Sequence, residues 1–230
     1  MNTSEFLNIT SLIVPDRTAV IFDGRRITYS DLALRVAKLA NALRQLGVEK
    51  GDRIATMEVN CNEHIETYFA AAKLDAIYVP INFRASQSEL EYMLNDSSPT
   101  VLLAGSRYTD MIELISSKVE SLKALIVIDG VAEGWHTYER IVDSAPDDEI
   151  YPESDEDDLT MLMFTAGTTG FPKGVMLSHD SFSSYILSNV SPPDMEVEEK
   201  NILTVPLYHI AGVQAVMAAV YGGRTLIIQR

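Results

Sequence analysis

The sequence predicts an α/β protein in which mixed sheets are flanked by helices. Two observations lead there. Apolar periodicity switches repeatedly between strand and helix spacing along the chain. A loop rich in Gly and Thr, Thr165 to Val175, also sits between two short apolar runs that read as strands, Leu159 to Phe164 and Val175 to Leu177. With 230 residues, 47% of them apolar, the chain can bury a substantial core as one large domain or two small ones.

Ala19 to Phe22 reads as the first strand. Leu32, Val36, Leu39, Leu43 and Leu46 recur at spacings of four, three, four and three, the stripe of a helix that Ser30 is placed to cap and Gly47 to stop. Arg53 to Val59 reads as a strand. Ser86-Gln87-Ser88-Glu89 has the capping-box pattern, with Leu90, Met93 and Leu94 as the buried face behind it. Val101 to Ala104 and Ala124 to Ile128 are expected to be buried strands, with a helix from about Thr109 to Val119 between them. Asp147 to Asp158 is crowded with carboxylates at no metal-ligand spacing and reads as a solvated linker. It would divide a first α/β subdomain, residues 1–146, from the start of a second at residues 159–230. Beyond the loop, Ser178 is placed to cap a helix on which Phe182, Tyr185 and Ile186 share a face. Ile202 to Leu207 reads as a strand. In the helix from His209 to Tyr221 the apolar residues spread too widely for one stripe, so most of its sides should be buried. Gly222-Gly223 ends it, and Thr225 to Ile228 starts another strand.

A formal charge of −15, with no clustered basic residues, argues against a general nucleic-acid binder. It leaves a single nucleotide open, since phosphates respond to local donors and a metal ion. Cys61 is the only cysteine, and Met1 to Pro15 lacks a basic segment followed by a sustained apolar run. With no apolar stretch of membrane-spanning length, a cytoplasmic protein is expected. No set of His, Cys and carboxylates suggests zinc.

The loop T-A-G-T-T-G-F-P-K-G-V carries the chemistry. Gly167, Gly170 and Gly174 can take positive φ, which lets successive amides turn toward one anion. Thr165, Thr168 and Thr169 add hydroxyls for phosphate oxygens or a metal, and Lys173 adds a compact positive charge. A Walker A loop needs Gly before its Lys, a hydroxyl after it and a helix opening there. Here Pro172 precedes Lys173, Gly174 follows it and a strand comes next, so a P-loop kinase or NTPase is disfavoured. A Gly-rich hairpin turn with no ligand is the plainer alternative.

The run from Met163 to His179, M-F-T-A-G-T-T-G-F-P-K-G-V-M-L-S-H, resembles the signature loop of the adenylate-forming superfamily. That superfamily comprises acyl- and aryl-CoA synthetases, firefly-type luciferases and peptide-synthetase adenylation domains. The resemblance extends from about Ala19 to Arg230. It includes Thr28 to Leu32, Gly51-Asp52-Arg53-Ile54, Ala71 to Asn82, and Pro206-Leu207-Tyr208-His209-Ile210-Ala211-Gly212. Two departures are visible. Ala166 stands where many members carry Ser, and Asp75-Ala76 where Gly-Gly or Gly-Ala is usual.

The resemblance implies the N-terminal portion of the adenylate-forming fold, with ATP and Mg²⁺ as cofactors and CoA as co-substrate. A carboxylate would attack the α-phosphorus of ATP, and a thiol would then displace AMP. It implies that Thr165, Ala166, Gly167, Thr168, Thr169, Gly170, Lys173 and Gly174 bind nucleotide, that Lys173 and Thr169 act on the leaving pyrophosphate, and that Thr165 can join the magnesium shell. His209 and Gly212 would line the acyl pocket, although His209 also stands where it could cap the following helix. Family members are more than twice as long, so the chain is expected to be the N-terminal part of a longer enzyme, lacking the C-terminal lid domain and inactive alone. The motif looks most like a fatty-acyl-CoA ligase. An aryl-CoA ligase, a peptide-synthetase-type domain and a non-catalytic nucleotide-binding module are the alternatives. Expected partners are a small carboxylic acid and CoA, with a homodimer allowed.

Overall fold

A computed structural model describes residues 1–165 and 172–230. Its elements, in order, are α1 (Ser4–Ile13), β1 (Thr18–Phe22), β2 (Arg25–Thr28), α2 (Tyr29–Gln45), β3 (Arg53–Met57), α3 (Asn62–Lys73), β4 (Ile77–Pro80), α4 (Gln87–Ser97), β5 (Val101–Ala104), α5 (Thr109–Ser116), β6 (Ala124–Val127), β7 (His136–Thr137), α6 (Tyr138–Ser144), β8 (Leu159–Thr165), β9 (Lys173–Ser178), α7 (His179–Asn189), β10 (Lys200–Leu203), α8 (Ile210–Tyr221) and β11 (Thr225–Ile228). One sheet runs β7-β6-β5-β3-β4-β8-β9 and the other β10-β11-β1-β2. The first is parallel except for the antiparallel β8–β9 hairpin. The predicted α/β class with mixed sheets is therefore the observed one.

Both sheets take strands from either side of the acidic segment. β8 and β9 extend the sheet built by β3 to β7, while β10 and β11 pair with β1. Residues 147–158 are therefore a divide in sequence that the sheets cross. Nor is the segment simply solvated. Asn41 donates to the Asp148 carbonyl at 2.8 Å, and the buried Lys73 ammonium pairs with Glu149. The Glu153 and Ser154 amides donate to the Asp75 carboxylate at 2.7 and 3.1 Å. Asp75 has φ 53°, the left-handed region that favours Gly. Here the carboxylate gives Asp a use that Gly lacks, which accounts for the departure at this position.

The local details depart from the sequence reading in several places. Thr28, extended at φ −76° and ψ 167°, accepts the Asp31 amide and caps α2. Ser30 lies inside the first turn, because the helix starts at Tyr29, ahead of the Leu stripe. Gly47 stops the segment at φ 86°, and Ser86 with Glu89 forms the expected capping box. Strand β3 ends two residues short of Val59, and α5 ends at Ser116. β10 is shifted to Lys200–Leu203, clear of Pro206, which has no N–H for a ladder. On α7 the buried arc is His179, Phe182, Ser183 and Ile186, which leaves Tyr185 half exposed.

Helices α1, α3 and α6 were not expected. All twelve residues of α3 are buried, so it has no polar face to create a stripe. Its Glu66 is fully buried and held by Arg35 Nε at 3.0 and 3.1 Å, Tyr138 at 2.7 Å and Asn62 at 2.7 Å. Arg35 also forks onto Glu139 at 3.0 Å. This network ties α2, α3 and α6 together behind the central strands.

Candidate active site

The Gly/Thr loop joins β8 to β9, two strands paired from Leu159 opposite Ser178 to Thr165 opposite Lys173. Thr165 and Lys173 thus face each other across its neck. The Thr165 hydroxyl donates to the Lys173 carbonyl at 3.3 Å, and both residues are exposed. Ala166, Gly167, Thr168, Thr169 and Gly170 lie outside the described residues. Gly174 is inside β9, opposite Phe164, without positive φ. It is part of the strand and not of an amide nest. A Cβ there would come 2.9 Å from Leu162 Cδ1, so a larger residue would have to push that side chain aside.

β8 runs parallel to β4, with Tyr78 opposite Met161, so the loop leaves the carboxyl edge of the parallel sheet. Open α/β sheets bind ligands outside that edge. The segment around His209 meets the same edge. Phe83, three residues past β4, packs edge-on against Tyr208 with ring centroids 5.5 Å apart. Asn60, three residues past β3, accepts the Leu207 amide at 2.8 Å and donates to the Val205 and Gln229 carbonyls at 3.1 and 3.0 Å. Both motifs are thus anchored at that edge, one through β8 beside β4 and the other through residues that follow β3 and β4.

His209 is exposed and caps α8, its Nδ1 accepting the Ala211 amide at 3.3 Å. Gly212 is buried, and a Cβ on it would sit 2.4 Å from the Pro206 carbonyl oxygen. Only Gly lets α8 close onto the Pro206–Leu207 turn. Behind that turn Ile65, Tyr78, Leu207, Val213, Val216 and Met217 line a small apolar cavity. His64 borders it too, hydrogen bonded to Tyr78 and, through Nε2, to the Glu58 carbonyl at 3.0 Å. A ring nitrogen facing a carbonyl must carry the proton. Burial pushes the ring's pKa down to about 4, so it is neutral. His179 is also buried, as a structural residue beside the Ser178 cap, whereas His136 is exposed on β7.

Asn60 and Phe83 escaped the sequence reading. Neither belongs to a chemical motif, and the contacts that reveal Asn60 cross 145 to 169 residues. Among the described residues no group of three His, Cys, Asp or Glu is placed to hold a metal, and no helix is long and apolar enough to cross a membrane.

The loop sequence, the hairpin that carries it and the Pro206–Gly212 segment are those of an adenylate-forming protein. Residues 13–230 match the AMP-binding enzyme family, and the chain belongs to it. It is 33% identical over 215 residues to a feruloyl-CoA synthase from an Amycolatopsis species, covering 93% of this chain and 41% of that protein. It is likewise 33% identical over 205 residues to the long-chain-fatty-acid–CoA ligase FadD13 of Mycobacterium tuberculosis, covering 88% and 39%. Among solved structures, ATP-bound MatB from Rhodopseudomonas palustris superposes with a TM-score of 0.82 at 25% identity, over all of this chain and 45% of that one. The chain thus spans about two fifths of the length of the curated relatives it matches.

Proposed function

We propose that the whole protein is an ATP-dependent acid–thiol ligase of the acyl-CoA type. A substrate carboxylate oxygen bonds to the α-phosphorus of ATP and pyrophosphate leaves. The sulfur of CoA then bonds to the acyl carbon and AMP leaves. The observation that carries this reading is the Thr165–Lys173 neck at the carboxyl edge, the edge on which the Tyr208–His209 turn is also anchored. Lys173 stabilises charge on the leaving pyrophosphate, a preorganised electrostatic contribution to an in-line displacement. Thr168, Thr169 and the loop amides complete that grip. Mg²⁺, carried on the nucleotide phosphates, would supply charge neutralisation there, and the Thr165 hydroxyl would be a residue available to hold it.

A fatty acid is the favoured substrate, because the G-T-T-G-F-P-K-G-V-M-L-S-H string looks most like that of fatty-acyl-CoA ligases and FadD13 is among the relatives. His209, which caps α8, and Gly212 would line the acyl pocket. The feruloyl-CoA synthase relative supports an aromatic acid as the second reading. The 230 residues on their own are not expected to turn over, since they span about two fifths of the length of the matched ligases. Carboxylate-dependent exchange of pyrophosphate into ATP, run on the full-length protein across aliphatic and aromatic acids, tests the proposal. Exchange with aliphatic acids is expected; ATP turnover to ADP, or no exchange with any acid, overturns it.

A further inference from the structure

We infer that His179, reached through a buried line of hydroxyls from Thr160, Tyr68 and Thr3, is a positioning residue that aims the phosphate-loop hairpin at ATP. The inference rests on the adenylation reading above. The four residues come from different parts of the chain: Thr160 from the start of β8, Tyr68 from α3, Thr3 from just before α1, and His179 from the residue after β9. All are at most 3% exposed.

The direction of each hydrogen bond follows from the first. The Thr3 amide donates to His179 Nδ1 at 3.1 Å, so Nδ1 bears no proton, the Thr3 hydroxyl 3.0 Å away also donates to it, and the ring proton sits on Nε2, which makes the 3.3 Å approach of Asn2 Nδ2 there a contact between two donors. With its one hydrogen committed, Thr3 Oγ1 accepts from the Tyr68 hydroxyl at 2.6 Å. Tyr68 in turn accepts from Thr160 at 3.2 Å. No hydroxyl is asked to donate twice. Burial pushes the imidazole pKa down to about 4 and the Tyr68 phenol up to about 12, so both groups keep the neutral forms this line requires.

Its placement gives the line a mechanical role. Leu159 and Ser178 are paired at the open base of the hairpin, and Thr160 and His179 adjoin them. Further out, Lys173, Gly174, Val175 and Met176 are exposed, and β9 is the edge strand. The base is therefore where the angle of the hairpin is set. A second pair of contacts reinforces it, the His179 amide on the Asp158 carbonyl at 3.1 Å and the Asp180 amide on the Glu156 carbonyl at 2.7 Å. An error of direction at the base is carried out to Lys173, where positioning of phosphate matters.

The test uses the full-length protein with His179→Leu, Thr3→Val and, as the conservative variant, His179→Asn, whose side-chain oxygen can replace Nδ1 as acceptor. Ile112→Ala, in the separate core layer against β5, controls for lost stability. His179→Leu and Thr3→Val should raise KM for ATP about tenfold while KM for the acid moves less than about twofold, and His179→Asn should recover most of the loss. Ile112→Ala should leave KM for ATP within about twofold. Equal shifts in both KM values, or the same ATP effect from Ile112→Ala, overturns the inference. Amide hydrogen exchange is read in parallel and needs no activity. Residues 162–164 and 175–177 should exchange faster in both disruptive variants, with β5 and β6 unchanged. Unaltered protection of the hairpin overturns the inference even if adenylation is confirmed, and absent exchange activity with altered protection overturns adenylation alone.

Discussion

Helix α3 and the β8–β9 hairpin lie on opposite sides of one lesson. Every residue of α3 is buried, carrying the Arg35-paired Glu66 inside the core, whereas the outer half of β9 is open to solvent and carries the end of the signature motif. The hairpin could be recognised because phosphate chemistry dictates residue types wherever it occurs. α3 could not be, because total burial erases the contrast between faces that marks a helix.

If α3 is the frame and the hairpin the tool, damage to each should register in different measurements. Glu66→Ala strands the Arg35 and Tyr138 partners in the core and should cost about 3–5 kcal/mol, read as a fall in the urea midpoint at unchanged slope. A loss below 1 kcal/mol would show that α3 is not held by this network. Lys173→Ala should lower carboxylate-dependent pyrophosphate exchange of the full-length protein about 100-fold, with the urea midpoint nearly unmoved. A matching loss of stability would erase the distinction between frame and tool.

Acid provides a gentler probe that reaches both regions. His64 in α3 and His179 beyond the hairpin have folded-state pKa values depressed to about 4. The unfolded chain takes up their protons near the ordinary histidine value, so the stabilisation is whole above about pH 6.5 and is lost as pH falls toward 4. Each should contribute a slope of about 1.4 kcal/mol per pH unit in that window. Urea midpoints measured from pH 7 to 4.5 check this, and His179→Asn should remove one share. The smallest effect is expected at Asp75→Gly, where relief of the left-handed backbone opposes loss of two amide contacts. A net cost of about 1 kcal/mol is predicted, with faster proteolysis at residues 150–155.

Legibility in the sequence followed the range of the interaction. Gly47, the Ser86 capping box and the Ser178 cap were visible because each is completed within a few residues. So was the loop between two strands. Thr28 was passed over as the α2 cap because Ser30, two residues on, presents the same hydroxyl, and only the helix start decides between them. The anchoring of residues 148–154 on Asn41, Lys73 and Asp75 joins positions up to 107 apart, and composition there speaks only of charge. The Asn60 bridges and the Glu66 network were hidden for the same reason. In the site, the motif stood out by its own residue pattern, but nothing in it pointed to the residues that hold its neighbours in place.

The pairing of β1 with β11, Val20 opposite Leu226, has a consequence for synthesis. At a ribosomal pace of about 5–20 residues per second, β1 emerges roughly 10–40 s before its parallel partner exists. During that interval its apolar residues have only the β2 hairpin and the helices already made to cover them. Such distant pairing slows folding and leaves the nascent sheet open to wrong partners. Expression of this protein should therefore respond to chaperone supply and to translation rate more than its local helix and turn signals would suggest.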